Sequence, residues 1–233
     1  MSASTAPLDG VLLIGAGGLG CAVALALAGL PITRLVIADD DRIALSNLHR
    51  QILFTMRDLG AFKSDTIAMR WGAQRPDWSV TTLRARLDTP EAIAEVARHQ
   101  AVTIDASDNF ATRFAANDAA IRHRFPLVHG AAIGLTGQLL TIDPGRSACL
   151  RCLFGGPPEA EGATCQNAGV LGSLVGEVGW LMALEAVKLL YRTGRPLWNR
   201  LLTIDALRGR RRAVPLRPDS HCACQLQPGS DPP

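Results

Sequence analysis

Four apolar residues, Val11-Leu12-Leu13-Ile14, run directly into Gly15-Ala16-Gly17-Gly18-Leu19-Gly20, and this junction restricts the chain more than any other segment. A short buried strand ending in a glycine turn that opens a helix presents backbone N–H groups and a positive helix end to a phosphate. Glycine is required where a side chain would block that approach. Cys21 to Leu30 then reads as a helix of small and apolar residues, and Arg34 to Ala38 as a second strand. Strand, glycine turn, helix and strand together open a parallel doubly wound sheet.

The alternation continues. Lys63 to Trp71 reads as helix, Ser79 to Leu83 as strand, Glu91 to His99 as helix and Ala101 to Asp105 as a buried strand. Asn109 to Arg124 is the next helix and Leu127 to His129 the strand after it. The second half changes character: Gly137 to Asp143 and Leu201 to Asp205 read as antiparallel additions flanking a long helix, Val170 to Leu190. The expected fold class is α/β, a Rossmann-like doubly wound, mainly parallel sheet with an antiparallel C-terminal extension. A single domain over residues 1–224 and a disordered tail over 225–233 are expected, with a mobile loop over Gly155 to Gly162.

Composition excludes some classes. A formal net charge of +3, with Arg residues scattered apart from Arg210-Arg211-Arg212, is too thin for a nucleic-acid footprint. The apolar stretch Val170 to Leu190 is broken by Glu177, Glu185 and Lys188, so a buried helix is expected rather than a membrane span. Met1 to Leu8 is too short and uncharged for a signal peptide. A soluble cytoplasmic protein is the expectation, and in that reducing compartment clustered cysteines point to metal or chemistry before disulfides.

The glycine turn with Asp39 nineteen residues after Gly20 also fits the dinucleotide fingerprint of an NAD(P) oxidoreductase. The residues beyond Asp39 favour another ligand. Asp39-Asp40-Asp41 leads into Ser46-Asn47-Leu48-His49-Arg50-Gln51, Lys63 comes next, and Asp105-Ala106-Ser107-Asp108-Asn109 ends a later strand. Two cations and a strand-end carboxylate suit a triphosphate with its metal better than a pyrophosphate dinucleotide.

Cysteines form a second constellation. Cys149-Leu150-Arg151-Cys152 and Cys222-Ala223-Cys224 are two close pairs, able to build a tetrahedral structural zinc site. His221 with Cys224 restores a two-residue spacer, which makes His221 a substitute ligand for Cys222. Cys165 stands apart after the Gly/Pro loop, and Cys21 reads as packing. Trp71, Trp78, Trp180 and Trp198 read as core or core edge, and His99, His123 and His129 as bland.

On the glycine turn, the Asp-x-Asp, the Ser-Asn-Leu-x-Arg-Gln run, the Lys and the Ser-Asp-Asn, the chain resembles the ubiquitin-activating-like adenylyltransferases of bacteria (the ThiF/MoeB/HesA family) from about Val11 to Cys224. The resemblance implies ATP-dependent adenylation of the C-terminal Gly-Gly carboxylate of a small ubiquitin-like sulfur-carrier protein in thiamine or molybdopterin synthesis. A non-catalytic binding partner is the alternative within the same fold. Implied nucleotide contacts are Gly15, Gly17, Gly18, Asp39, Asp41, Ser46, Asn47, Arg50, Lys63, Asp108 and Asn109, with Arg50, Lys63 and Asp108 catalytic and Asp108 on Mg²⁺. Zinc on Cys149, Cys152, Cys222 and Cys224, a reactive Cys165, a homodimer and a separate sulfur donor are implied likewise. Members usually carry an Arg-containing helix before the first strand that reaches into the neighbouring subunit, whereas Met1 to Gly10 contain neither Arg nor Lys.

Overall fold

The computed structural model describes residues 10–30, 32–157 and 169–225. Cys165, most of the Gly/Pro loop and the tail from 226 onward lie outside the described residues. Eight strands form one sheet: β1 (Gly10–Ile14), β2 (Arg34–Ala38), β3 (Ser79–Leu83), β4 (Val102–Asp105), β5 (Leu127–Ile133), β6 (Thr136–Ile142), β7 (Arg200–Asp205) and β8 (Arg210–Pro215). Their order is β3-β2-β1-β4-β5-β6-β7-β8. The pairs from β3 to β5 are parallel and those from β5 to β8 antiparallel, as the expected fold class requires.

Helices α1 (Gly18–Leu27), α2 (Lys63–Gln74), α3 (Pro90–Ala97), α4 (Phe110–His123), α5 (Leu150–Phe154) and α6 (Gly172–Leu190) cover the sheet. Alternation along the strands sorts side chains to two faces. Val11, Leu13, Leu35 and Ile37 join residues of α1, α2 and α6 in one apolar cluster. Leu12, Ile14, Val36 and Leu127 join residues of α3 and α4 in the other. Sheet strands buried on both faces read as continuous apolar runs, which is what β1 and β2 are.

Helix α6 packs along α1, and glycines set how closely. A Cβ on Gly179 would lie 2.5 Å from the Ala22 Cβ and 2.8 Å from the Leu19 carbonyl oxygen. Glu185, buried in α6, accepts hydrogen bonds from Thr141 Oγ1 at 2.6 Å and the Leu197 N–H at 2.7 Å, and pairs with Lys188. The interrupting charge that argues against a membrane span is thus a tie between α6 and β6. No helix of the described residues is long and apolar enough to cross a membrane.

The edge strand β8 begins with Arg210-Arg211-Arg212 and is exposed at every position, as suits an outermost strand kept from further pairing by charge. Two expectations change. Trp180 is half exposed on α6, whereas Trp71 and Trp78 stack at 5.2 Å in the core. Gln225, expected in the tail, closes a 3-10 turn (Ala223–Gln225) and donates from Nε2 to the Ser147 carbonyl at 3.3 Å.

Candidate functional site

The strand order reverses between β1 and β4, and ligands of open α/β sheets bind beyond the strand C-termini at such a point. A cleft of about 880 Å³ opens there. Its floor is the glycine turn. Gly15 has φ of +93° and donates its N–H to the Ala38 carbonyl at 2.8 Å. A Cβ on Gly15 would lie 2.8 Å from the Ala106 oxygen, and one on Gly20 only 2.0 Å from the Gly15 oxygen. Gly17 has nothing within 4 Å of its missing Cβ. It faces open cleft, the position where a phosphate can reach the backbone. Gly18 lines the cleft too, but its missing side chain makes room for Val175 of α6, 2.7 Å from where a Cβ would sit.

Asp39 leaves β2 and accepts two backbone N–H bonds, from Ala16 at 2.6 Å and Asp41 at 2.9 Å. It thereby locks the glycine turn to the β2 end. Burial raises its pKa above the ordinary carboxylate value, against the opposing pull of Lys63 and these two N–H groups. Lys63, at the start of α2 and almost wholly buried, donates to Asp41 Oδ2 at 2.6 Å. An anionic oxygen entering the cleft would compete with Asp41 for that ammonium. Arg50 is aimed by a 2.7 Å bond to Asn47 Oδ1, so the amide and guanidinium of the Ser-Asn-Leu-His-Arg-Gln run work as one unit. Gln51 also lines the cleft, and its buried Oε1 has no hydrogen-bond partner among the described residues. Ser46 is exposed on the 3-10 turn Leu45–Asn47 and does not line the cleft.

The far wall is the turn after β4. Asn109 caps α4, accepting from the Thr112 N–H at 2.9 Å, which leaves Asp108 exposed and lining the cleft. Arg113, one turn into α4, donates to the Ser107 carbonyl at 3.2 Å. Beneath them Asp105 is fully buried, accepting from the Ser107 N–H at 3.0 Å, the Ser107 hydroxyl at 2.6 Å and His129 Nδ1 at 2.7 Å. Burial opposes its ionisation, but the His129 hydrogen bond and charge, with Ser107 and Arg113, outweigh it and hold Asp105 below the usual carboxylate range.

A second cleft of about 950 Å³ adjoins the first. Phe110, Phe114, Leu150 and Phe154 make it mostly apolar, with His129, Thr136 and Gln138 supplying polar groups. The two clefts share Asp108, Arg113 and Ala132. Sequence reasoning passes over Arg86, Arg113 and His129. Arg86 and Arg113 carry one available signal: the first stands just past the end of β3 and the second one turn into the helix that follows β4, on the side where such sheets bind ligands.

Beside α4 and α5, Cys149, Cys152, Cys222 and Cys224 bring their sulfurs within 4.8 Å of one another. The recorded Sγ–Sγ separations are 4.0, 3.6 and 3.4 Å. Tetrahedral zinc with bonds of about 2.3 Å sets sulfurs about 3.8 Å apart, so the donor set fits that ion. The Cys224 thiol bonded to Cys149, then the N–H groups of Cys152 and Arg151, favour the Cys149 thiolate against burial and bring it down to about 5. Burial and the adjacent Cys149 push Cys222 up to about 11, and the bond to Cys149 pushes Cys224 up as well. A cation bound by these sulfurs would favour their thiolate forms.

His221 is not in this cluster. Its side chain is 94% exposed, with Nδ1 near Asp219 and Ser220. The Asp219–Cys222 turn, closed by the Cys222 N–H on the Asp219 carbonyl at 3.0 Å, carries into the 3-10 turn and sends residues 222 and 224 to the same side. Cys-x-Cys therefore brings both sulfurs into the cluster without His221. Cys21, by contrast, is plain core: burial pushes its thiol up to about 12.

A parallel sheet with a glycine turn, an aspartate lock and a cationic cleft at its switch point, joined to a four-cysteine cluster, defines a nucleotide-binding α/β protein. Residues 9–226 match the ThiF family, and the chain belongs to it. The sulfur carrier protein ThiS adenylyltransferase of Escherichia coli (strain K12) is 42% identical over 213 residues, covering 91% of this chain and 84% of that protein. The SAMP-activating enzyme E1 of Haloferax volcanii is 40% identical over 222 residues, 95% of this chain and 82% of that protein. Against the adenylyltransferase and sulfurtransferase MOCS3 of Anopheles gambiae, 40% identical over 209 residues, the chain covers 89% of itself but spans only 47% of the relative. Among solved structures, E. coli MccB with ATP superposes with a TM-score of 0.81 at 20% identity, over 92% of this chain and 66% of that one, a likeness of fold.

Proposed function

We propose that this protein adenylates the C-terminal Gly-Gly carboxylate of a small ubiquitin-like sulfur-carrier protein, using ATP and releasing pyrophosphate. The observation that carries the reading is the junction of two clefts at Asp108 and Arg113. One cleft has the glycine turn and cations a triphosphate needs, and the adjoining apolar one can admit an extended peptide end. The relatives named for ThiS adenylation and SAMP activation, matched over more than four-fifths of their length, support the same substrate class.

In this reading the triphosphate lies over Gly15, Gly17 and Gly18, with Asp39 and Asp41 on the sugar side and Asn47, Arg50, Lys63 and Asn109 around the phosphates. The carrier carboxylate, already ionised at neutral pH, attacks the α-phosphorus. A carboxyl oxygen–phosphorus bond forms, the bond to the bridging oxygen breaks, and the electron pair leaves on pyrophosphate. No protein base is required. Arg50 and Lys63 lower the repulsion between the anionic partners and hold charge developing on the leaving group. Asp108, exposed in the cleft, is the carboxylate that would hold Mg²⁺, which when bound neutralises phosphate charge.

Zinc on Cys149, Cys152, Cys222 and Cys224 is assigned a structural role, tying the C-terminal segment to α5. Residues 1–224 act as one adenylation unit. A homodimer, a separate sulfur donor and a reactive Cys165 complete the proposal, the last lying outside the described residues. The test is ATP–pyrophosphate exchange with Gly-Gly carrier proteins offered one at a time. Exchange that depends on one carrier establishes the chemistry. ATP binding without exchange for any carrier overturns the reading in favour of a non-catalytic partner or another acid.

A further inference from the structure

His129 carries no motif in the sequence, yet it is 5% exposed and bonded to the most deeply buried carboxylate beside the cleft. Strand register explains the pairing. In the parallel β4–β5 ladder Asp105 stands directly opposite His129, so both side chains emerge on one face, under α4. An imidazole bound through Nδ1 to a carboxylate is fixed in ring orientation and tautomer.

Asp105 passes that constraint forward. Its Oδ2 is held by His129, and its Oδ1 holds both the N–H and the hydroxyl of Ser107. Arg113 grips the Ser107 carbonyl, and Asn109 is fixed as the α4 cap. Asp108 therefore hangs between two anchored neighbours, although its own side chain is exposed. The His129 ring also lines the second cleft, so the same residue borders the channel and braces the turn that ends it.

We infer that His129 is a positioning residue for the adenylation reaction, holding Asp108 at the junction of the two clefts through Asp105 and Ser107. This rests on the metal-binding role proposed above for Asp108. Groups behind a metal-binding side chain commonly change metal affinity or activity by about 10–100-fold when removed.

Two substitutions separate positioning from bulk. In His129→Asn the amide nitrogen sits at the reach of Nδ1 and can still donate to Asp105. In His129→Gln it sits one atom further out, at the reach of Nε2. Ser107→Ala weakens the brace from the other side while deleting a single oxygen, so the fold is not at risk. The readout is Mn²⁺ uptake by the full-length protein with ATP, followed by the electron paramagnetic resonance of free Mn²⁺, alongside ATP affinity without metal.

We expect His129→Gln to weaken Mn²⁺ binding by about 10-fold, with Ser107→Ala in the same direction by less and His129→Asn within about twofold of wild type. Metal-free ATP affinity should stay unchanged throughout. Equal Mn²⁺ affinity in wild type, His129→Gln and Ser107→Ala overturns the inference. So does an equal loss of metal-free ATP affinity, which marks general damage. Wild-type exchange with a carrier, but no effect of these variants on Mn²⁺, overturns the brace and leaves adenylation standing. Weakened Mn²⁺ binding with no exchange for any carrier supports the brace and counts against the adenylation reading.

Discussion

The nucleotide cleft and the cysteine cluster are two polar sites built by opposite means. In the cleft the groups come from the ends of parallel strands and from the segments that follow them, two of them held by a side-chain partner: Arg50 by Asn47, Lys63 by Asp41. In the cluster four sulfurs turn toward one another, with Cys149 and Cys224 buried inside an apolar group that includes Phe114 and Leu140 and Cys152 and Cys222 half-buried beside them. The cleft leaves its side chains something to gain from a ligand in solution. The cluster leaves its side chains something to gain only from an ion that stays. The first arrangement suits turnover and the second suits cohesion, so damage to each should register in a different measurement.

The largest effect should come from the cleft. Asp108→Ala removes an exposed carboxylate whose neighbours are anchored independently, so the fold should melt as wild type does. Carrier-dependent exchange should fall by about 10²-fold or more, the scale of losing one preorganised electrostatic group. Arg50→Ala should behave alike. Full exchange in both variants would erase the functional half of the contrast.

Cluster damage should appear as stability. Cys152→Ser removes one sulfur, and exhaustive chelation the proposed ion, from the cluster that joins α5 to the C-terminal segment. A loss of only about 3 kcal/mol would lower Tm by roughly 6–12 °C in a chain of this length. Leu150 and Phe154 of α5 wall the second cleft, while no α5 residue lines the first. Below the melt, then, the KM for carrier should rise more than the KM for ATP. An equal rise in both would show that the two sites are not separable.

The aspartate under the cleft adds a pH contrast. Asp105 is held below the ordinary carboxylate range, and a depressed folded pKa contributes stability above the unfolded value of about 4, lost as pH falls through the folded one. Around it stand His129 from β5, Ser107 beside it and Arg113 from α4. Wild type should therefore keep this contribution from neutral pH down to about pH 4. In His129→Gln the largest offset to burial is lost, so the acid unfolding midpoint, followed by circular dichroism, should move to higher pH.

Local chemistry is legible in the sequence, and contact across strands is not. The glycine turn, Asp39, Asn47, Arg50 and Lys63 announce themselves because each lies on one short segment whose conformation its own residues dictate. Most strands from β1 to β7 are visible for the same reason, as apolar runs between turns, and β3 as the β-branched run Val80-Thr81-Thr82. His129 is hidden because its partner stands 24 residues away and meets it only through register. Arg113 looks like one more surface arginine of α4, and α5 is too short, at five residues, to show a period. Strand β8 escapes because Arg-Arg-Arg reads as a charge run, when an edge strand needs no apolar face to pair with β7. Residue type alone puts Trp180 in the core or at its edge, and it says nothing about which side of α6 the ring occupies.

The smallest effect tests how the cluster chooses its ligands. Spacing alone makes His221 the natural partner of Cys224, since a two-residue spacer is the commoner arrangement in such sites. The turn geometry instead points Cys222 inward, its sulfur 3.6 Å from that of Cys149, while the His221 ring is 94% exposed. A ligand must lose its water to bind, and a side chain so exposed has lost almost none. His221→Ala should thus leave the zinc content of the purified protein at wild-type level and shift Tm by less than about 2 °C, the scale of an exposed substitution in a chain this long. Cys222→Ala should lower both. If zinc content falls in His221→Ala and holds in Cys222→Ala, the cluster closes around an imidazole, and the inward turn at 222 is not the arrangement that binds the ion.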